Sequence, residues 1–156
     1  MLVSLDDLQQ ALESSEATAS ALTASVFSRG RLGAIGVQAF INAVMAATVA
    51  TVTADGHPHA TVVLVACLDG TIIFTASTRS LLLANLRHSP SVALTVTNPK
   101  HDVIARGRAT LLGKAADLPD LVGRLHRLSK RGRFTPEGWS GYFYAVAVEK
   151  IFVSSA

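Results

Sequence analysis

Two Asp-Gly dipeptides, Asp55-Gly56 and Asp69-Gly70, each set between runs of β-branched and aliphatic residues, limit what this chain can fold into. Asp-Gly is a strong hairpin signal, because glycine enters the positive-φ region of a tight reversal without a Cβ clash. The flanking runs Ala47–Thr53, His59–Leu68 and Thr71–Ala76 are therefore predicted as consecutive antiparallel strands. Further β-type runs follow at Ser91–Thr97, Asp102–Leu112 and Tyr142–Val153; in the first, Val92, Leu94 and Val96 alternate with Ser91, Ala93 and Thr95. Six strands, mostly hairpin-linked and two of them nearly all apolar, are best satisfied by a small closed or partly closed antiparallel barrel. The expected class is mainly β with flanking helices.

The helical segments lie outside and between these strands. Ser4 to about Thr23 reads as one helix, capped by Ser4, with Asp6 and Asp7 in the first turn and Leu5, Leu8 and Leu12 on one face. Ser28–Gly36 contains Gly30, Gly33 and Gly36, but no strand precedes it and no Lys-Ser or Lys-Thr follows, so it is predicted as a linker and not a phosphate loop. A second helix is expected over Ala34 to about Ala46, a third from the Ser80 cap to before Pro90, and a fourth over Asp117–Lys130, with Leu118, Leu121, Val122, Leu125 and Leu128 inward. The division that follows is a helical extension over residues 1–35 and a barrel domain over 36–156.

Leu32–Ala54 carries no charge and is long enough to span a bilayer. Gln38 and Asn42 nevertheless fall one helical turn apart, and from Ala47 the run turns β-branched, so a helix followed by a strand is predicted. No secretory leader is expected, since MLVSLDDLQQ places two aspartates where a basic flank belongs. The single cysteine, Cys67, lies in an apolar run and has no partner for a disulfide, which together point to a cytoplasmic location. A chain of 156 residues with 49% hydrophobic content can bury one core, and a net charge of +3 with a pI near 9.4 favours anionic ligands.

The stretch most suited to such a ligand is Thr71–Pro90, a buried strand, a polar loop and a short helix. A strand-to-helix loop points N–H groups and the positive end of the helix dipole outward. Thr75, Ser77, Thr78, Arg79 and Ser80 would add hydroxyl and guanidinium donors to that cradle. The competing reading is that Ser80 only caps its helix and the threonines only favour strand. Among the histidines, His57-Pro-His59 flanks a turn and no pair has metal-ligand spacing, so no metal is expected. The run Arg124, His126, Arg127, Lys130, Arg131 and Arg133 reads as a solvated helix face, or as a grip on an anionic cofactor tail. Aromatic residues do not interleave with it, which argues against nucleic acid. Gly138-Trp139-Ser140-Gly141 lacks the spacing and strand of a nucleophile elbow.

The pieces ATVATVTADGHPHATVVLV, DGTIIFTASTRSLLLANLRHSPSVALTVT, IARGRATLLG and YFYAVAVEKIFV, spanning about Phe40 to Val153, together resemble the pyridoxamine 5′-phosphate oxidase-like FMN-binding split barrels. The resemblance implies a six-stranded Greek-key split barrel, a homodimer, and flavin in the groove between subunits. It also implies that Thr61, Val62 and Val63 lie along the flavin ring, faced by Phe74, Thr75, Ala76 and Ser77. Trp139 would cover the ring from the partner subunit or plug a barrel end. The family's phosphate clamp usually has a basic residue two places after the helix-opening Ser or Thr; here Ser80 is followed by Leu81 and Leu82, and Thr61 and Val65 stand at further basic positions. The implied function is therefore an FMN-dependent oxidoreductase of another substrate, not a pyridoxamine phosphate oxidase. Deazaflavin and haem are alternative cofactors, and a flavin-free scaffold is an alternative role. Arg79 would partly replace the missing lysine, and Arg106 and Arg108, two apart in a strand, share one face that a phosphate could meet.

Overall fold

The computed structural model describes residues 3–27 and 32–155. Helices α1 (Leu5–Ala17), α2 (Ala21–Phe27) and α3 (Ala34–Val44) precede strands β1 (Ala46–Val52), β2 (Pro58–Leu68) and β3 (Thr71–Ser77). Then come α4 (Leu81–His88), β4 (Ser91–Thr97), β5 (His101–Lys114), a 3-10 turn at Ala115–Asp117, α5 (Pro119–Leu128) and β6 (Gly141–Ser155). The strands close into a barrel in the order β1-β2-β3-β6-β5-β4, every described pairing antiparallel. This is the predicted six-stranded barrel with flanking helices.

Its hairpins form as their dipeptides require. Asp69 and Gly70 both take positive φ, 52° and 90°, the primed geometry that Asp-Gly favours. At Asp55-Gly56 only Gly56 does, and the longer turn is closed by Thr53 N–H to His57 O at 2.8 Å. His57 Nδ1 lies 3.0 Å from Asp55 Oδ2, so it belongs to this turn. The run suspected of crossing a membrane is α3 followed by β1, and among the described residues no helix is long and apolar enough to cross one.

Gln38 and Asn42 sit where α3 meets the barrel. Asn42 donates to Cys67 O at 2.9 Å and accepts from Cys67 N–H at 2.7 Å, while Gln38 accepts from Gly70 N–H at 2.8 Å. The polar stripe thus satisfies backbone at the end of the β2–β3 hairpin, where burial would otherwise leave it unpaired. The N-terminal segment is bound in the same way. Leu8 and Leu12 share the barrel-centred core, the buried Ser15 hydroxyl accepts Ile151 N–H at 2.9 Å, and Thr71 Oγ1 donates to Val3 O at 2.7 Å.

Helix boundaries differ from expectation in several places, and β5 and β6 are each longer than expected. The single helix predicted over Ser4–Thr23 is two: α1 ends at Ala17 and α2 restarts after Ser20, whose hydroxyl accepts Thr23 N–H at 3.2 Å. Serine and threonine hydroxyls compete for backbone groups and favour caps over helix interiors. The α3 helix stops at Val44, before Ala46, because Met45 turns left-handed at φ 57°. The last helix begins at Pro119 and not Asp117; proline suits the first helical position. Of the predicted linker, residues 28–31 lie outside the described residues.

Two apolar cores lie on opposite faces of the barrel wall. The inner one gathers Val65, Cys67, Ile72, Phe74, Ala76 and Tyr144 with the inward faces of α1, α3 and α4. The outer one packs Ala66, Ile73 and Phe143 against Leu125 of α5, Phe134 and Trp139.

Candidate functional site

The barrel wall is interrupted between β2 and β3. Their ladder covers only Val65–Leu68 against Thr71–Phe74, whereas β2 pairs with β1 from Pro58 to Leu64. From Pro58 to Leu64, the β2 edge that faces away from β1 has no strand partner among the described residues, and β3 continues through Ser77 paired there to β6 alone. At the point of divergence the Thr75 hydroxyl bridges the gap, accepting Leu64 N–H at 3.3 Å. An open strand edge presents main-chain donors and acceptors to whatever enters the gap.

What occupies the gap is a cavity of about 230 Å³ lined by Thr61, Val62, Val63, Leu64, Thr75, Ser77, Ser80, Leu82, Pro136 and Trp139. Seven of the residues singled out from the sequence therefore meet at one place: Thr61, Val62, Val63, Thr75, Ser77, Ser80 and Trp139. Four do not line it. Phe74 and Ala76 alternate to the other face of β3 and are fully buried in the inner core, Phe74 stacking on Tyr144 at 5.7 Å. Thr78 lies in a neighbouring cavity, and Arg79 is exposed at the loop tip. Sequence reasoning missed Leu64 and Pro136 and met Leu82 only as the place where the family's clamp has a basic residue; Leu64 lies in an apolar run, and no pattern ties Pro136 to β2.

The loop hydroxyls are largely committed. Ser80 caps α4, accepting Leu83 N–H at 3.1 Å and donating to Ser77 O at 2.8 Å. Thr78 Oγ1 and Ser140 Oγ share a hydrogen bond of 2.9 Å, and Thr78 N–H donates to Ser140 O at 3.1 Å. Ser77 Oγ accepts the Trp139 indole N–H at 3.0 Å, which leaves the Ser77 proton to donate elsewhere. The α4 helix that supplies the N-terminus is anchored by Leu82, Leu83 and Leu86 and by buried Asn85, which donates to Thr51 of β1 at 3.0 Å. Ser80 thus caps α4, and among the described residues Ser77, Arg79 and one hydroxyl of the Thr78–Ser140 pair have a donor to spare.

Trp139 stands at the centre of this arrangement. Its ring packs on Phe143 at 5.8 Å, and a Cβ at Gly141 would come within 2.3 Å of it. It walls both the first cavity and a second, of about 240 Å³, that also takes in Thr78, Lys114, Ser140 and Tyr142. Tyr142 carries Arg87 against its ring at 5.5 Å. A larger cavity of about 310 Å³ lies between α1 and β6, but Glu13 and Glu16 on its wall disfavour an anion. Arg124 is held by Asp69 at 2.8 Å and His126 Nδ1 accepts Phe134 N–H at 2.8 Å, so that part of the basic run stabilises structure.

The sequence model of pyridoxamine 5′-phosphate oxidase matches residues 36–136. The chain belongs to the pyridoxamine 5′-phosphate oxidase-like split-barrel family. No curated protein matches the sequence. Solved split barrels share the fold. A pyridoxamine 5′-phosphate oxidase-related, FMN binding protein from Nostoc punctiforme is 17% identical, with TM-score 0.56 over 78% of this chain and 81% of that one. A FAD-binding protein from Mesorhizobium loti is 18% identical, with TM-score 0.61 over 80% and 96%. The heme storage protein HutZ from Vibrio cholerae is 14% identical, with TM-score 0.60 over 76% and 92%. Split barrels of this shape therefore include flavin-binding and haem-binding members.

The donor set at the gap suits a flavin. An open strand edge with the Thr75 and Ser77 hydroxyls matches a hydrogen-bonding ring edge, Val62, Val63, Leu82 and Trp139 suit its apolar faces, and Arg79 with the α4 terminus suits a phosphate. No histidine, cysteine or methionine lines either cavity among the described residues; Tyr142, in the second, is of a side-chain type that can ligate haem iron.

Proposed function

We propose that this chain is a flavin-binding oxidoreductase whose ring site is the gap between β2 and β3. The observation that carries the reading is the interrupted ladder, which leaves the Thr61–Val63 edge open opposite Thr75 and Ser77 with Trp139 as a wall. A flavin bound there would supply electron or hydride transfer. The chain's own residues bind and orient: the β2 edge and Thr75 fix one edge of the ring, Val62 and Leu82 exclude water, and Ser77 and Arg79 hold the phosphate. Leu82 is 1% exposed, so the lysine that would strengthen a phosphate clamp is replaced by core packing. That substitution supports FMN chemistry on a substrate other than pyridoxamine phosphate. With a buried, unpaired Cys67, a cytoplasmic setting is the one we favour.

The site is completed by a second copy. A cavity of about 230 Å³ is smaller than the ~300 Å³ at which ligand pockets begin. Beside it, the outer face of β2, β1 and β4 is exposed and uncharged, with Pro58, Ala60, Val62, Thr48, Val52 and Ala93 outward and Val62 71% accessible. Arg106 and Arg108 border this face on β5, both exposed, at positions that pair with Ala93 and Ser91. An apolar face rimmed by charge fits an isologous dimer. Light scattering should return a dimer, and Ala93→Glu should return a monomer with weakened flavin binding.

Titration of the purified protein with FMN tests the cofactor. Quenching of flavin fluorescence and a flavin absorption band on the protein are expected. A second reading, haem, is favoured by one atom: His59 Nδ1, on β2 two residues before Thr61, is buried with no hydrogen-bond partner among the described residues. A Soret band on adding haemin, lost in His59→Ala, with no response to FMN, would establish that reading instead.

A further inference from the structure

The positive charge near the candidate site is displaced from the ring cavity to its neighbour. Among the described residues the ring cavity has no lysine or arginine on its wall, whereas the second cavity has Lys114, and Tyr142 beside it carries Arg87 against its ring and at 3.4 Å from its hydroxyl. Lys114 and Tyr142 are cross-strand partners between β5 and β6, and both line the second cavity. The two cavities share the Trp139 wall and flank one loop, since Ser77 and Ser80 line the first and Thr78 the second. The shared Thr78–Ser140 hydroxyl pair uses one of its two protons internally and leaves the other to donate.

A ligand with its ring in the first cavity and its phosphate at this loop meets further positive charge past the loop, at Lys114 in the second cavity. We infer that the second cavity takes the far half of a dinucleotide flavin, with Lys114 on the second phosphate and Tyr142 or Trp139 against the adenine. This rests on the flavin reading given above. The chemistry is that of an anionic, planar group: an ammonium and a spare hydroxyl proton for the phosphate, and aromatic faces for a purine. Each cavity alone falls below the size of a ligand pocket, at about 230 and 240 Å³, and a ligand using both does not.

The test compares FMN and FAD on the full chain by fluorescence quenching or calorimetry. FAD should bind about tenfold more tightly than FMN, the gain expected of one added charge-assisted contact. Lys114→Ala, at an exposed position, should abolish that difference and leave FMN affinity unchanged, and Lys114→Arg should keep it. Equal affinities for FMN and FAD in the wild type would overturn the inference while leaving the flavin reading intact. So would an equal loss of both ligands in Lys114→Ala. Failure of both flavins to bind would overturn the flavin reading and this inference together.

Discussion

The indole N–H of Trp139 donates to Ser77 Oγ at 3.0 Å, and this bond ties the segment before β6 to the end of β3 across 62 residues of sequence. It uses the Ser77 hydroxyl as an acceptor and leaves its proton to donate, at a residue that lines the ring cavity. Trp139→Phe keeps an aromatic ring against Phe143 but removes the donor. Flavin affinity should fall by about threefold to tenfold, matching a neutral hydrogen bond of about 0.5–1.5 kcal/mol, with little loss of stability. Trp139→Ala should loosen binding further and cost about 2–4 kcal/mol in urea denaturation, since it empties the outer core above Phe143. Unchanged flavin affinity in both variants would remove Trp139 from the site.

Arg79 makes no hydrogen bond or ion pair among the described residues and is exposed, so its substitution probes ligand binding without disturbing packing. Arg79→Ala should weaken FMN by roughly tenfold to a hundredfold if the guanidinium holds the phosphate, following about 1.5–3 kcal/mol for a charged hydrogen bond. The same substitution should leave riboflavin, which lacks the phosphate, unaffected. Supplying the missing charge by Leu82→Lys is a poorer experiment. Leu82 is 1% exposed, and a buried ammonium there would destabilise α4 before it could meet a ligand.

The fold was legible because its signals are local. Asp69-Gly70 specifies its turn through backbone conformations those residues adopt readily, and the Ser91–Thr97 alternation gives β4 to the residue. The cradle loop was legible for the same reason, since Ser80 caps its helix through neighbours in sequence. The interruption of the β2–β3 ladder was not, because it depends on β3 leaving β2 to stay with β6, a choice made by pairings between residues such as Thr75 and Phe143. The inward turn of Phe74 and Ala76 follows from strand alternation, which the family resemblance passes over when it names consecutive residues. Trp139 and Pro136 reach the cavity only through the tertiary packing of the loop after α5.

Asn42 spans α3 and the barrel with two hydrogen bonds to the backbone of Cys67, at 2.9 and 2.7 Å. Asn42→Ala would leave a part-buried N–H and C=O without these partners. A loss of about 2–4 kcal/mol is expected from two unsatisfied groups. Asn42→Leu should do no better, which separates the hydrogen bonds from packing volume. Denaturant titration with unchanged slope measures the loss directly. A change below about 0.5 kcal/mol would mean that water replaces the amide.

Cys67 faces the inner core, and its thiol pKa is pushed up from 9.0 to about 12. The largest cause is burial; a backbone hydrogen bond from Gly70 opposes it, and the Asp69 charge adds to it. The native thiol therefore stays protonated and should resist alkylation near neutral pH, reacting only on unfolding. Between pH 9 and about 12 the unfolded chain loses a thiol proton that the folded chain keeps, so the native state binds more protons and stability must fall as pH rises. The contribution is fully present below the unfolded pKa and is lost as pH passes through the folded one. Its slope is at most about 1.4 kcal/mol per pH unit. Lysines and tyrosines also titrate in this range, so the measured quantity is the difference between wild type and Cys67→Ala. The variant should be less stable at pH 8 because of its cavity, and its stability should fall less steeply above pH 9. Parallel curves for the two proteins, or rapid alkylation of native Cys67, would show that water reaches the thiol through the barrel wall.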